Sequence, residues 1–248
     1  GAGPGDPGLI TVKGLALLRS ADVVVYDRLI PHELLDEAHP SAELIDAGKA
    51  PGDHRLSQAE INAILVERAR MGFLVVRLKG GDPFIFGRGS EEALACFAAG
   101  IAFEVIPGIS SVHAVPAYAG IPLTHRNISS VFTVIAGHED PASPGTPINY
   151  EALAQMGGTL VILMGVGHLP EIVTRLIGAG LAPDTPAACI ERGTIPEQRV
   201  IEAPLVDLPA CAARAALQSP AVIVIGDVVA LRSIGVGWFE NVRPAHIK

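Results

Sequence analysis

Strand-sized apolar runs alternate with helix-patterned segments through the first half of this chain, and that rhythm constrains the fold most. A helical pattern over residues 11–20 leads into the strand DVVVY at 22–26. Ser57 and Glu60 have the spacing of a capping box ahead of INAILVERAR, and Gly72 stands where that helix should end. FLVVRL (73–78) is the next strand. Ser90 is placed to cap the helix EEALACFAA, Gly100 ends it, and IAFEVI (101–106) predicts a further strand. The βαβα order predicts a parallel sheet with helices on both faces.

The second half reads differently. Strands are expected at VFTVIAG (131–137), TLVILM (159–164), PAACIE (186–191), QRVIEA (198–203) and AVIVIG (221–226), with helices near 169–179 and 207–217. Only RGTIPE separates PAACIE from QRVIEA. That is too short for a crossover helix, so the two should pair antiparallel and the sheet should be mixed. The expected organisation is α/β throughout, with domains at 1–126 and 127–248, a size that suits two small domains.

Apolar residues make up 49% of the chain, yet no apolar run approaches the roughly 18 residues of a spanning helix, so no membrane partner is expected. A net charge of −8 argues against a broad basic face for nucleic acid. Cys96, Cys189 and Cys211 are odd in number, far apart and without a CxxC pair. They read as small apolar residues in a reducing compartment, and with no charged leader the expectation is cytoplasmic. No His or Cys has ligand spacing, so no metal is expected.

Ligands of open parallel sheets bind beyond the carboxyl ends of the strands. Four unusual loops fall there or in the equivalent place: GAGPGDP (1–7), DRLI (27–30), KGGDPFIFGRG (79–89) and PGISS (107–111). The first is GxGxG, with Asp6 where a dinucleotide loop has its third glycine, and the strand that should feed it would precede Gly1. Asp27 stands where an NAD enzyme keeps its ribose-binding acid. NAD(P) binding, another adenosyl ligand and a plain tight turn all remain open on this loop alone. Gly80 and Gly81 allow a ligand close to the backbone, and Asp82 either accepts from that ligand or caps a local amide. Arg88, just before a helix N-terminus, favours an anion, while Glu91 and Glu92 are either first-turn residues or functional ones. Arg28, Lys49, Arg88 and Arg126 form a candidate carboxylate-binding set.

These segments, together with ADVVVYDRLI, VRLKGGDPFIFGRGSEE, YAGIPLTHR, DTPAACIERGT and VIVIGDVVALR, resemble the tetrapyrrole (precorrin) methylase family from end to end. The resemblance implies two α/β domains, an N-terminal parallel sheet and a C-terminal mixed sheet, with the cofactor cleft between them. It implies transfer of two methyl groups from S-adenosyl-L-methionine to uroporphyrinogen III, giving precorrin-2 for sirohaem, cobalamin or haem d1 synthesis. S-adenosyl-L-homocysteine is then the spent cofactor, and the enzyme a homodimer. Carried over by position, the cofactor contacts are Pro4, Gly80, Gly81, Asp82, Ile85, Ser110, Ser111, Met164, Gly193 and Ala221. Asp27 and Lys49 fall at the proposed proton acceptor and donor, with Glu91 a second candidate for the proton. Arg28, Arg88 and Arg126 are expected to face the tetrapyrrole. The family commonly has Arg after GK, whereas Ala50 follows Lys49 here, and Ser110-Ser111 replaces the commoner Thr-Ala. No dehydrogenase or chelatase segment is attached, so one activity is expected. The alternatives are a sister methylase acting on a later precorrin, an NAD(P)-binding oxidoreductase, and a non-catalytic tetrapyrrole binder.

Overall fold

Three consecutive valines with no polar alternation suit a strand covered on both faces. In the computed structural model, which describes residues 1–48, 56–138, 141 and 148–239, β1 (Val23–Tyr26) is that strand. It lies centrally between two parallel neighbours, β2 (Glu43–Asp46) and β3 (Val75–Leu78), with Tyr26 opposite both Asp46 and Leu78. Val24 and Leu78 pack against Leu18 of α1 (Val12–Ser20). Val23 and Val25 face the other way, onto Ile61 and Leu65 of α2 (Gln58–Arg70). The expected helices on both faces are therefore present in this unit, Gly1–Ser111.

The local signals hold where their chemistry is self-contained. Thr11 caps α1, accepting from the Gly14 amide at 3.0 Å. At α2 the Ser57 hydroxyl accepts from the Glu60 amide while the Glu60 carboxylate accepts from the Ser57 amide at 2.7 Å. Two expectations fail. α3 (Gly89–Ala98) starts with Arg88 as its N-cap, in a left-handed conformation (φ 56°), and Ser90 sits inside its first turn. The cause is the preceding loop, which closes onto the helix when the Gly89 amide donates to Pro83 at 3.0 Å. Residues 101–106 join no ladder among the described residues, and Ala102, Phe103 and Glu104 are exposed. β-propensity reports fit to a sheet surface, so without a neighbouring strand edge the apolar run makes no strand.

The second unit, Val112–Lys248, is built on a five-stranded sheet in the order β4-β5-β8-β6-β7. Its strands are β4 (Phe132–Ala136), β5 (Thr159–Leu163), β6 (Pro186–Glu191), β7 (Arg199–Pro204) and β8 (Ala221–Ile225). β4 and β5 run parallel and the other pairs antiparallel, so the sheet is mixed, and β6 and β7 pair as expected. Period-two alternation sorts its side chains. Leu160, Ile162, Ile223 and Ile225 face α5 (Tyr150–Met156), α6 (Leu169–Gly178) and α7 (Leu208–Arg214). Val161, Val222 and Val224 face Val112 and Val115 of α4 (Ser111–Tyr118), with Ala119 and Ile121 beyond it. That packing ties residues 112–121 to the second unit, and the two compact units meet between Ser111 and Val112.

Leu176, on α6, is fully buried in the first of these layers. Leu176→Ala should cost about 2–5 kcal/mol of stability, seen as a lowered urea midpoint at unchanged slope. An unchanged midpoint would contradict this packing.

Candidate active site

In the first unit the loops at the carboxyl end of the sheet converge. The Ala2 amide donates to Lys79 at 2.7 Å, and Gly3 and Gly81 pair as an antiparallel bridge, with the Gly81 amide 2.7 Å from the Gly3 carbonyl. Asp82 reaches both neighbouring segments. Its Oδ1 accepts from the Phe84 amide at 2.8 Å and its Oδ2 from the Gly108 amide at 3.0 Å. Both oxygens thus serve the loop, although a carboxylate has lone pairs left for a ligand donor. A Cβ on Gly108 would stand 2.3 Å from the Gly81 carbonyl oxygen, so only glycine permits this approach. Gly81 differs. Its φ of +64° is the left-handed region, but a Cβ there would meet nothing nearer than the Ser111 amide at 3.8 Å and Ser110 Cα at 4.0 Å. The backbone is accessible at that point, with Ile85 and its neighbours Phe84 and Phe86 exposed beside it.

Asp27 directly follows β1 and its amide donates to Leu78 at 3.1 Å. Arg77 NH2 donates to Asp27 Oδ1, while Oδ2 has Lys79 Nζ at 3.8 Å. Glu91 and Glu92, adjacent in α3, separate completely. Glu91 is exposed and forms a bidentate pair with Arg88, at 2.8 and 2.7 Å. The Arg88 hydrogen bonds hold the Glu91 carboxyl below the usual carboxylate range, and the Arg88 guanidinium is raised in turn. Glu92 is 5% exposed and turns inward to Arg77 and Lys79. Arg77 and Lys79 are absent from the sequence-based site, and Glu92 entered it only beside Glu91, as either a first-turn residue or a functional one. The available signal was two cations, in RLK, at the end of an apolar strand, since buried charges require partners.

Arg28 is exposed just after Asp27. Lys49 lies outside the described residues. In the second unit Met164, Gly193 and Ala221 gather at one end of the three interior strands of the sheet. Leu163 pairs with Val222 and Glu191 with Ala221, which brings the ends of β5 and β6 level with the start of β8. Met164 is half-exposed with φ 59°. Arg126 is exposed on a separate loop of this unit, whose His125 and Ser129 bridge.

A family model described as tetrapyrrole (corrin/porphyrin) methylases matches residues 1–209. The chain is 52% identical to an S-adenosyl-L-methionine-dependent uroporphyrinogen III methyltransferase of Methanosarcina barkeri, covering 94% of this chain and 92% of that one. It is 48% identical to a siroheme synthase of Gluconacetobacter diazotrophicus, covering 94% of this chain but only 50% of the relative, so it spans half of that longer protein. Among solved structures, the uroporphyrin-III C-methyl transferase of Thermus thermophilus complexed with S-adenyl homocysteine aligns with a TM-score of 0.76 at 37% identity. That alignment covers 92% of this chain and 90% of that one.

Cys189 stands apart from the loops and charges of the first unit. Cys189 is fully buried in β6, and burial pushes its thiol up to about 12. Iodoacetamide near neutral pH should leave it unmodified until denaturant is added, because only the thiolate reacts. Rapid labelling of the native protein, read by mass spectrometry, would contradict that burial.

Proposed function

We infer that this chain, which belongs to the tetrapyrrole (corrin/porphyrin) methylase family, transfers methyl groups from S-adenosyl-L-methionine to two positions of uroporphyrinogen III, giving precorrin-2. The observation that carries this is the 52% identity, along almost the whole of both chains, with the S-adenosyl-L-methionine-dependent uroporphyrinogen III methyltransferase of Methanosarcina barkeri. The loops fit the cofactor. Backbone at Gly80 and Gly81 follows β3 with only Lys79 between, and the space in front of Gly81 is open. Pro4, Gly80, Gly81, Asp82, Ile85, Ser110 and Ser111 would hold it in the first unit, and Met164, Gly193 and Ala221 are proposed contacts in the second.

When bound, S-adenosyl-L-methionine supplies a methyl already activated by its sulfonium. What remains for the protein is alignment and proton handling. Electron-rich pyrrole carbon is the nucleophile, and methylation leaves a cationic ring system that must lose a proton. Asp27 is the proposed acceptor. Its Oδ1 is held by Arg77, and among the described residues the nearest cation to Oδ2, Lys79 Nζ, stands at 3.8 Å, beyond hydrogen-bond reach. Glu91 is less suited to this task, because both its oxygens are occupied by Arg88. Its proposed part is to hold the Arg88 fork until a substrate carboxylate replaces it. Arg28, Arg88 and Arg126 are the proposed carboxylate partners, and Lys49 the proposed proton donor. A homodimer and a cytoplasmic location belong to the same proposal. Leu94 and Phe97, exposed one turn apart on α3, support an apolar contact surface. No helix among the described residues is long and apolar enough to cross a membrane.

Incubation with methyl-labelled S-adenosyl-L-methionine and uroporphyrinogen III should give a product carrying two labelled methyls by mass spectrometry. A product with none would refute the assignment, and one methyl would point to a sister methylase. Asp27→Ala should retain S-adenosyl-L-homocysteine binding and lose roughly 10²–10⁴-fold in turnover; near-normal turnover would demote Asp27 to a structural role. Gly81→Val should abolish cofactor binding, through the strained positive φ and through its side chain entering the open space. Calorimetry showing intact binding would remove Gly81 from the cofactor loop.

A further inference from the structure

Four charged side chains meet at the carboxyl ends of β1 and β3. Arg77 commits every guanidinium nitrogen. Its Nε donates to Glu92 Oε1 at 3.0 Å, NH2 to Asp27 Oδ1, and NH1 to the carbonyls of Val25 and Leu78, each at 3.2 Å. Lys79 Nζ donates to the same Glu92 oxygen at 3.0 Å, and Gln58 Nε2 approaches it at 3.3 Å. Lys79 and Glu92 are each 5% exposed, whereas the Asp27 side chain is 33% exposed. Two cations and two carboxylates thus balance in a largely buried cluster that opens only at Asp27.

The distances distribute the cations unequally. Lys79 is hydrogen-bonded to Glu92 but 3.8 Å from Asp27 Oδ2. Glu92 therefore anchors the ammonium that would otherwise have Asp27 as its nearest carboxylate. Arg77 binds the opposite oxygen of Asp27 and is itself fixed by Glu92 and two carbonyls. We propose that Arg77, locked by Glu92, is a positioning residue that fixes the Asp27 carboxylate with Oδ2 presented for proton transfer, while Glu92 keeps Lys79 from closing that oxygen. The proposal rests on the assignment of Asp27 as the base. Neither Arg77 nor Glu92 touches a reacting atom; both act through Asp27.

Precision is the reason such a bracket matters. A base must come within about 2.6–3.2 Å of its proton, and a misplacement of about 1 Å costs on the order of 10²-fold in rate. Lysine at position 77 keeps the charge but has a single nitrogen, which cannot serve Glu92, Asp27 and two carbonyls together. Glu92→Gln keeps the shape and removes the charge that anchors Lys79.

The test measures kcat, KM and S-adenosyl-L-homocysteine affinity in Arg77→Lys, Glu92→Gln, Asp27→Asn, and in each of the first two combined with Asp27→Asn. Both single variants should lose roughly 10–10²-fold in kcat with cofactor affinity unchanged. Neither should lose anything further in the Asp27→Asn background, since groups acting through one residue are not additive. Undiminished kcat in the single variants overturns the proposal, and so does a loss that persists in full when Asp27 is already asparagine. Wild-type turnover in Asp27→Asn alone overturns the base assignment beneath it. Should Arg77→Lys fail to fold, Glu92→Gln carries the same comparison in both backgrounds.

Discussion

The buried ion cluster of Asp27, Arg77, Lys79 and Glu92 is the interaction on which the first unit's functional end depends. It joins the end of β1, the end of β3 and the first turn of α3 through side chains from residues 50 and 15 positions apart. Charges removed from water are costly unless paired, and losing one partner of such a cluster typically costs about 3–5 kcal/mol. Each of the four therefore constrains the others. The arrangement is also asymmetric, because three members are enclosed and Asp27 alone reaches the open side. An ion cluster serving only as a fastening has no need of a partly exposed member whose second oxygen, among the described residues, has its nearest cation at 3.8 Å.

Backbone geometry supplies the complementary element. At Gly108 the chain passes so close to Gly81 that a methyl would collide with a carbonyl oxygen, while at Gly81 itself the surroundings are open. One glycine is there for the fold's own crowding and the other leaves room beyond it. Asp82 stabilises this meeting of loops by accepting one amide from each side. In the second unit, antiparallel register does the corresponding work by bringing Met164, Ala221 and Gly193 to one end of the sheet, over a core whose two faces alternate residue by residue.

Much of this was legible in the sequence, for a physical reason that varies by element. The Ser57–Glu60 capping box and the Thr11–Ser20 helix rest on contacts within a turn, so local spacing suffices. The β6–β7 pairing followed from the brevity of its connection. The expected strand at 101–106 depended instead on whether a neighbouring strand edge exists, which no local pattern encodes. Ser90 lost its capping role to Arg88 because a loop beginning at Pro83 folds back onto the helix start. Likewise, no local pattern shows that Val112 and Val115 bury against strands far along the chain.

By itself the sequence determined the order and type of most elements, the loops at the carboxyl end of the first sheet, and the family whose motifs those loops carry. Periodicity, turn chemistry and motif spacing are properties of short stretches, and short stretches are what a sequence displays directly. Only the tertiary structure decided which of two adjacent glutamates turns inward. Glu91 stays at the surface with Arg88, whereas Glu92 enters the cluster that holds Asp27. A helix places neighbouring residues about 100° apart, so their fates depend on what packs against each side. For Glu92 that environment is a strand end carrying two cations, and only folding brings it there.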